Sequence, residues 1–199
     1  MTVARPTRER IVDEAMRLFG ERGYAATTIA DIEAAAGLAA GGGGLYRHFR
    51  SKRELLDAGV RRQVQANRVL LDRLADALAR EGALEEQLRE LGRAGIARLE
   101  QERDLNRLLV RDLRQFPDLL ETAAEQDIRP VHAALAGWLA GHDPDGALDA
   151  PAVAAVLAGA TSHYWLLRDV FGEHPSGVDV ERYVVALAGL VAAALGRAT

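Results

Sequence analysis

A chain of 199 residues without cysteine has the length for one sizeable domain or a small one joined to a larger one, and it can hold no disulfide, thiolate nucleophile or cysteine-bound metal. Hydrophobic residues at 49% and charged residues at 27% exclude a disordered chain. The formal net charge of −4 is uneven: residues 1–53 carry 9 basic and 6 acidic side chains, residues 54–199 carry 16 and 23, so a basic segment precedes an acidic one. Alanine and leucine, 37 and 28 residues, make up about a third of the chain, and no alternating β-branched run appears. The fold class is therefore all-α, with about nine helices expected. No stretch of ~18 uninterrupted apolar residues occurs and no apolar segment follows the polar start, so neither a membrane partner nor a secretory leader is expected, and the cytoplasm is the expected location.

In chain order, Ile11, Ala15, Leu18 and Phe19 recur at helical spacing and predict a helix over 7–22, started by Pro6 and Thr7 and ended by Gly23. Thr28 stands three residues before Asp31, the spacing of a capping box, and opens a short second helix through Ile29, Ile32 and Ala36 as far as Gly37. Leu45 and Phe49 mark the apolar side of a third short helix near 43–50. Ser51 and Glu54 then cap a long helix whose apolar residues reach about Arg80, before Gly82. Further helices are predicted over 83–101, 104–115, 118–141 with a kink at Pro130, 150–171 and 178–197; Gly141 to Asp149 and Gly172 to Gly177 are loops.

Two short helices about a glycine-bearing turn form a helix-turn-helix, whose second helix enters the DNA major groove. Around it, Tyr46, Arg47, His48, Arg50, Lys52 and Arg53 crowd donors for phosphate oxygens onto one short surface. Thr28 and Lys52, the one lysine of the chain, stand at helix starts, where the dipole favours anions. The string LFGERGY at 18–24, TTIADIEAAAG at 27–37 and GLYRHFRSKREL at 44–55 resembles the N-terminal domain of the tetracycline-repressor (TetR) family of bacterial transcriptional regulators, over roughly residues 7–56. Beyond residue 60 the resemblance is one of architecture.

The resemblance implies that Thr28, Tyr46, His48 and Lys52 touch phosphates and that a basic arm containing Arg5 and Arg8 reaches DNA. The stretch from Leu38 to Gly44 departs from the pattern: it is two residues longer than the commonest form, and four glycines stand where side-chain base readers are usual. Helical glycines cost about 0.8–1.0 kcal/mol each relative to alanine, so the recognition helix is expected to be short or frayed. The amides of Gly43 and Gly44 can then approach phosphate directly, with bases read by Arg47, the arm and DNA shape. The expected division is a DNA-binding domain over 1–52 and an effector-binding and dimerisation domain over 53–199.

On the last helix Val184, Leu187, Ala188, Val191 and Leu195 form a stripe, and on the one before it Val153, Val156, Leu157, Ala160, Tyr164, Leu167 and Phe171 form another. With Ala186, Gly189, Ala192, Ala193 and Gly196 allowing close approach, both helices suit a symmetric four-helix bundle, and the resemblance implies such a homodimer. It also implies a pocket for a small-molecule effector in the middle helices, to which His132, Trp138, His163 and Tyr164 are the candidate contributors. Ligand binding would release a repressor from a palindromic operator by changing the separation of two DNA-binding domains. No metal-ligand spacing, cofactor fingerprint or nucleophile motif occurs, so neither cofactor nor catalysis is expected. The competing reading is an all-helical small-molecule binding protein that has lost DNA binding through its glycine run; a helical enzyme with an acid-base pair assembled only in space is a third.

Overall fold

A computed structural model describes residues 6–78, 82–143 and 145–198, apart from the side chains of 68–78, 197 and 198. Among the described residues there is no strand, and nine α-helices are assigned: α1 (Thr7–Arg22), α2 (Ile29–Ala35), α3 (Lys52–Leu78), α4 (Leu84–Gln101), α5 (Arg103–Arg111), α6 (Pro117–Ala123), α7 (Arg129–Gly141), α8 (Ala150–Phe171) and α9 (Val180–Ala198). Between α6 and α7 the backbone continues as a π turn, Ala124–Ile128, so the count is eight if the two are taken as one helix. This turn is where Pro130 makes itself felt. Its ring would collide with the carbonyl four residues back and it has no N–H to offer, and the widened turn just before it absorbs both defects. The predicted end of α3 at Arg80 lies outside the described residues.

The chain forms two compact units, one running to Asn67 and taking in Glu102–Gln126, the other comprising Arg68–Gln101 and Asp127–Thr199. In the first, α1 places Ile11, Val12, Ala15, Leu18 and Phe19 against Ile32 of α2, Leu45 and Phe49 beyond it, Leu55, Leu56 and Val60 of α3, and Leu105 and Leu108 of α5. Each of the larger of these side chains, Val, Leu, Ile or Phe, stabilises the fold by about 1.5–3 kcal/mol when fully buried. The spacing that predicted α1 and α2 from sequence is the spacing of this core.

The third of the predicted short helices is a single 3-10 turn, Leu45–Arg47. The reason is in the glycine run. Gly37, Gly41 and Gly43 adopt φ of +73°, +70° and +73°, in the left-handed region that breaks a right-handed helix, and Gly44 returns to helical angles. Leu45 and Phe49 are nonetheless fully buried, as their four-residue spacing requires.

In the second unit, Leu88 and Leu91 of α4, Leu135 and Leu139 of α7, Ala154 and Leu157 of α8, and Ala188, Val191 and Leu195 of α9 share one core. Tyr164, Ile96 and Val184 form a smaller cluster. The sequence stripes on α8 and α9 are therefore divided: Val184, Ala188, Val191, Leu195, Leu157 and Tyr164 are consumed internally and cannot meet a second copy.

One close approach in the first unit has no slack. A Cβ at Gly20 of α1 would lie 2.8 Å from the Asp104 Cα of α5 and 2.6 Å from its Oδ1. Gly20→Ala is expected to lower stability by about 1–3 kcal/mol, the usual cost of overpacking, as read by urea denaturation of the full chain.

Candidate nucleic-acid interface

The surface is assembled from the turn between α1 and α2 outward. Thr28 caps α2: its Oγ accepts from the Asp31 amide (3.1 Å) and donates to Asp31 Oδ2 (2.6 Å), which also accepts from the Thr28 amide (2.9 Å). These bonds hold the Asp31 carboxyl below the usual carboxylate range. At the other end of α2, Gly37 N–H meets Ala34 O and Leu38 N–H meets Glu33 O, the paired bonds of a helix closed by a left-handed glycine.

Lys52, at the start of α3, reaches back across this turn. Its Nζ donates to Tyr24 O and Thr27 O, both at 2.8 Å, and lies 4.3 Å from the centre of the Tyr24 ring. Burial pushes its pKa down. Two of its three N–H groups are thus committed to backbone carbonyls, leaving one for an external anion. Thr27, fully buried, donates to Gly23 O (2.8 Å) and Leu18 O (3.2 Å). From α5, Arg111 donates to Phe19 O (2.5 Å), Gly20 O (3.1 Å) and Asp112 (2.9 Å), and Asp112 accepts from the Tyr24 amide (3.4 Å). Two carbonyls near the end of α1 thus accept from a side chain some ninety residues away, Phe19 O accepting from the Gly23 amide as well.

What remains outward-facing is the 3-10 turn. Tyr46 is 57% exposed, Arg47 is exposed and His48 half-buried, while Leu45 and Phe49 on either side anchor the turn in the core. Arg8 of α1 lies with its guanidinium 4.7 Å over the Phe49 ring, which brings it beside this turn. Arg5 lies outside the described residues. Arg53 is occupied by Asp118 and stacks on Phe116. Gly43 and Gly44 are half-buried, Gly43 immediately before the turn and Gly44 at its cap.

Three contributors were not singled out from sequence. Arg111 and Asp112 carry no local signal, since their partners are fixed only by the fold. Glu33 did carry one: with Ile29, Ile32 and Ala36 it occupies the apolar spacing of α2, and it is fully buried, its Oε1 accepting from the Leu45 amide (2.9 Å).

The four residues considered for an effector lie on two helices, His132 and Trp138 on α7, His163 and Tyr164 on α8. No hydrogen bond or ring contact joins any two of His132, Trp138, His163 and Tyr164 among the described residues. His163 is exposed on α8 and His132 half-buried on α7. The Trp138 ring lies tilted against that of His142, ring centres 4.4 Å apart. Tyr164 donates to Val178 O (2.9 Å) between the rings of His174 and Tyr183. An open cavity of about 460 Å³ lies at the α8–α9 loop, lined by residues including Arg168, His174, Val178 and Asp179, and by none of the four.

A capped α2, a glycine-closed turn and an outward basic turn on a buried leucine and phenylalanine define the geometry of a helix-turn-helix protein. Residues 11–58 match the family described as bacterial regulatory proteins, tetR family, and residues 86–195 match the AefR-like transcriptional repressor C-terminal domain. The chain belongs to the TetR family of bacterial regulators. It is 39% identical over 92 residues to the HTH-type transcriptional regulator TtgR of Pseudomonas putida, covering 45% of this chain and 38% of that protein. To the HTH-type regulator YvkB of Bacillus subtilis it is 28% identical over 121 residues, 61% of this chain and 60% of the relative. The chain thus aligns with less than two thirds of the length of either relative. Among solved structures, AibR in complex with isovaleryl coenzyme A and operator DNA shares the fold with a TM-score of 0.71 at 18% identity, covering 93% of this chain and 97% of that one.

The capping box yields a titration test. Asp31 contributes stability that is present at neutral pH and is lost as pH falls through its lowered folded value, the unfolded value being about 3.9. Thr28→Val removes the hydroxyl, so the Asp31 carboxyl is expected to titrate closer to that ordinary value, as followed by NMR of the side-chain carboxyl.

Proposed function

We propose that this chain is a ligand-responsive repressor that binds a palindromic DNA operator as a homodimer and is released by a small molecule. The observation that carries the DNA-binding half is the display of Tyr46 and Arg47 on a turn whose two flanking residues, Leu45 and Phe49, are fully buried. Exposed donors on a rigid base suit a phosphate backbone, with Arg47 placed to reach base edges. Arg8, Thr28, His48 and the remaining Lys52 N–H extend the same face, and the amides of Gly43 and Gly44 add backbone donors. Arg5, on the preceding arm, is assigned to DNA with them, and residues 1–52 and 53–199 divide DNA binding from effector binding and dimerisation.

The dimer reading rests on what α8 and α9 leave uncovered. Val156, Val170 and Phe171 of α8 are 69%, 63% and 64% exposed, and Val185 and Leu190 of α9 are 49% and 72% exposed. Ala186, Gly189, Ala193 and Gly196 lie on the exposed side of α9, and a Cβ added at Gly189 or Gly196 would meet nothing within 4 Å. Exposed apolar and small residues of this kind on two helices suit a self-complementary interface. By length and composition α8 could also cross a membrane, but burial of Tyr164 and Trp165 on its other side fits an amphipathic helix with one face against its own unit and the other against a second copy. The effector is proposed to bind among α4, α7, α8 and α9, with acyl-coenzyme A thioesters as the first compounds to screen. The cytoplasm is the compartment consistent with such a role.

Selection of bound sequences from a random duplex library, followed by light scattering and salt titration, tests this reading. A two-fold symmetric site with half-sites about 34–36 Å apart, bound by a dimer with affinity falling steeply with salt, is expected. Leu190→Glu is expected to yield monomers and at least a tenfold loss of affinity for the selected site. A monomer at micromolar concentration, or no preference over random duplex, refutes the proposal; ligand binding without any DNA preference would instead favour a helical binding protein.

A further inference from the structure

Glu33 holds two distant points of the chain at once. Its main-chain carbonyl accepts from Leu38 N–H (2.8 Å), closing α2, and its side-chain Oε1 accepts from Leu45 N–H (2.9 Å), opening the 3-10 turn that carries Tyr46 and Arg47. The segment between has little of its own to fix its path. Within 38–44, among the described residues, the one backbone hydrogen bond runs from Gly42 N–H to Ala39 O (2.9 Å), and Gly41 and Gly43 sit at positive φ. Glycine chains of this kind have many conformations of similar energy. Beside the core packing of the Leu45 and Phe49 side chains, the Glu33 carboxyl is therefore the polar tie that sets where the Leu45 backbone leaves the glycine segment relative to α2.

The burial of that carboxylate is otherwise unrewarded. Glu33 is fully buried, and its Oε2 meets no donor among the described residues. Burying a polar oxygen without a partner costs free energy that an apolar side chain of similar volume at the same helical position would not incur. Stability alone would favour leucine there. The bond to Leu45 is the compensating feature, and it acts on the placement of the turn.

We propose that Glu33 is a positioning residue for DNA recognition: it replaces the missing first turn of the recognition helix with a single side-chain acceptor, and so sets the register at which Tyr46, Arg47 and His48 are presented. The proposal rests on the reading that this turn faces DNA. A second consequence is that Glu33 governs specific more than non-specific binding. Surface cations attract any duplex at long range, whereas reading one sequence requires the turn in one place.

The test uses the full chain with Glu33→Leu and Glu33→Gln, the duplex selected by the unmodified protein, and a scrambled duplex of equal length. Glu33→Leu is expected to unfold at no lower temperature than the parent, to lose at least tenfold in affinity for the selected duplex, and to bind the scrambled one within threefold. Glu33→Gln, which keeps an acceptor oxygen, is expected to stay within threefold on both. Amide hydrogen exchange of the unmodified protein gives an independent measure: Leu45 should exchange far more slowly than Gly43 and Gly44. Wild-type affinity of Glu33→Leu for the selected duplex, equal losses on both duplexes, or a Leu45 amide exchanging as fast as its glycine neighbours overturns the proposal. The exchange result stands apart from DNA binding, so failure of the protein to select any duplex would count against the repressor reading and leave this measurement to decide the role of Glu33 in placing the turn.

Discussion

The turn from Gly23 to Thr28 reverses the chain between α1 and α2 and leaves a series of backbone carbonyls that no helix can satisfy. Everything that faces outward in the first unit depends on those groups being bonded by side chains. Lys52 takes two of them and Thr27 donates to a third, Gly23 O, while Arg111 bonds the Phe19 and Gly20 carbonyls in the last turns of α1. Buried backbone polar groups left unpaired cost about 1–3 kcal/mol each, so several such bonds outweigh the entropy of holding long side chains in place. The same lysine that sequence reasoning would place on a phosphate is first of all a brace for the turn. Both roles are compatible, because an ammonium has three donors and two are used.

That dual use shows where sequence reasoning was sufficient and where it was not. Helices α1, α2, α4, α8 and α9 could be read from apolar spacing, since a helix stripe and a core contact are the same periodicity seen twice. Thr28 and Asp31 could be read because the capping box is local, its partners three residues apart. The collapse of the recognition helix to one turn followed from counting glycines. Arg111 could not be read at all: nothing near position 111 indicates Phe19 O as its acceptor. Glu33 could have been read, for it stands in the apolar register of α2, but an acidic residue in that register looks like an exposed one until the fold shows what it bonds.

The second unit has the complementary lesson. Periodicity identified stripes on α8 and α9, yet a stripe does not say which neighbour covers it. Val184, Ala188, Val191 and Leu195 are enclosed by their own unit, while Val185, Leu190 and the small residues around them point away. On helices this rich in alanine and leucine nearly every face is apolar enough to qualify, so composition blurs the distinction between core and interface. The effector candidates pose the same question: aromatic and histidine residues spaced along two helices become a binding site only where their side chains converge, and periodicity does not fix that.

A loop closed at both ends on one residue can change its length without moving the segment downstream of it. Because Leu38 and Leu45 are both bonded to Glu33, the stretch between them is a closed bight whose circumference is free and whose exit is fixed. Loop-closure entropy rises only slowly with length, each doubling costing about 0.6 kcal/mol. Additional glycines in such a bight thicken the bulge that faces solvent and leave the emergence of the next segment where it was. Leu45 and Phe49 thus stay seated in the core beyond a run of four glycines.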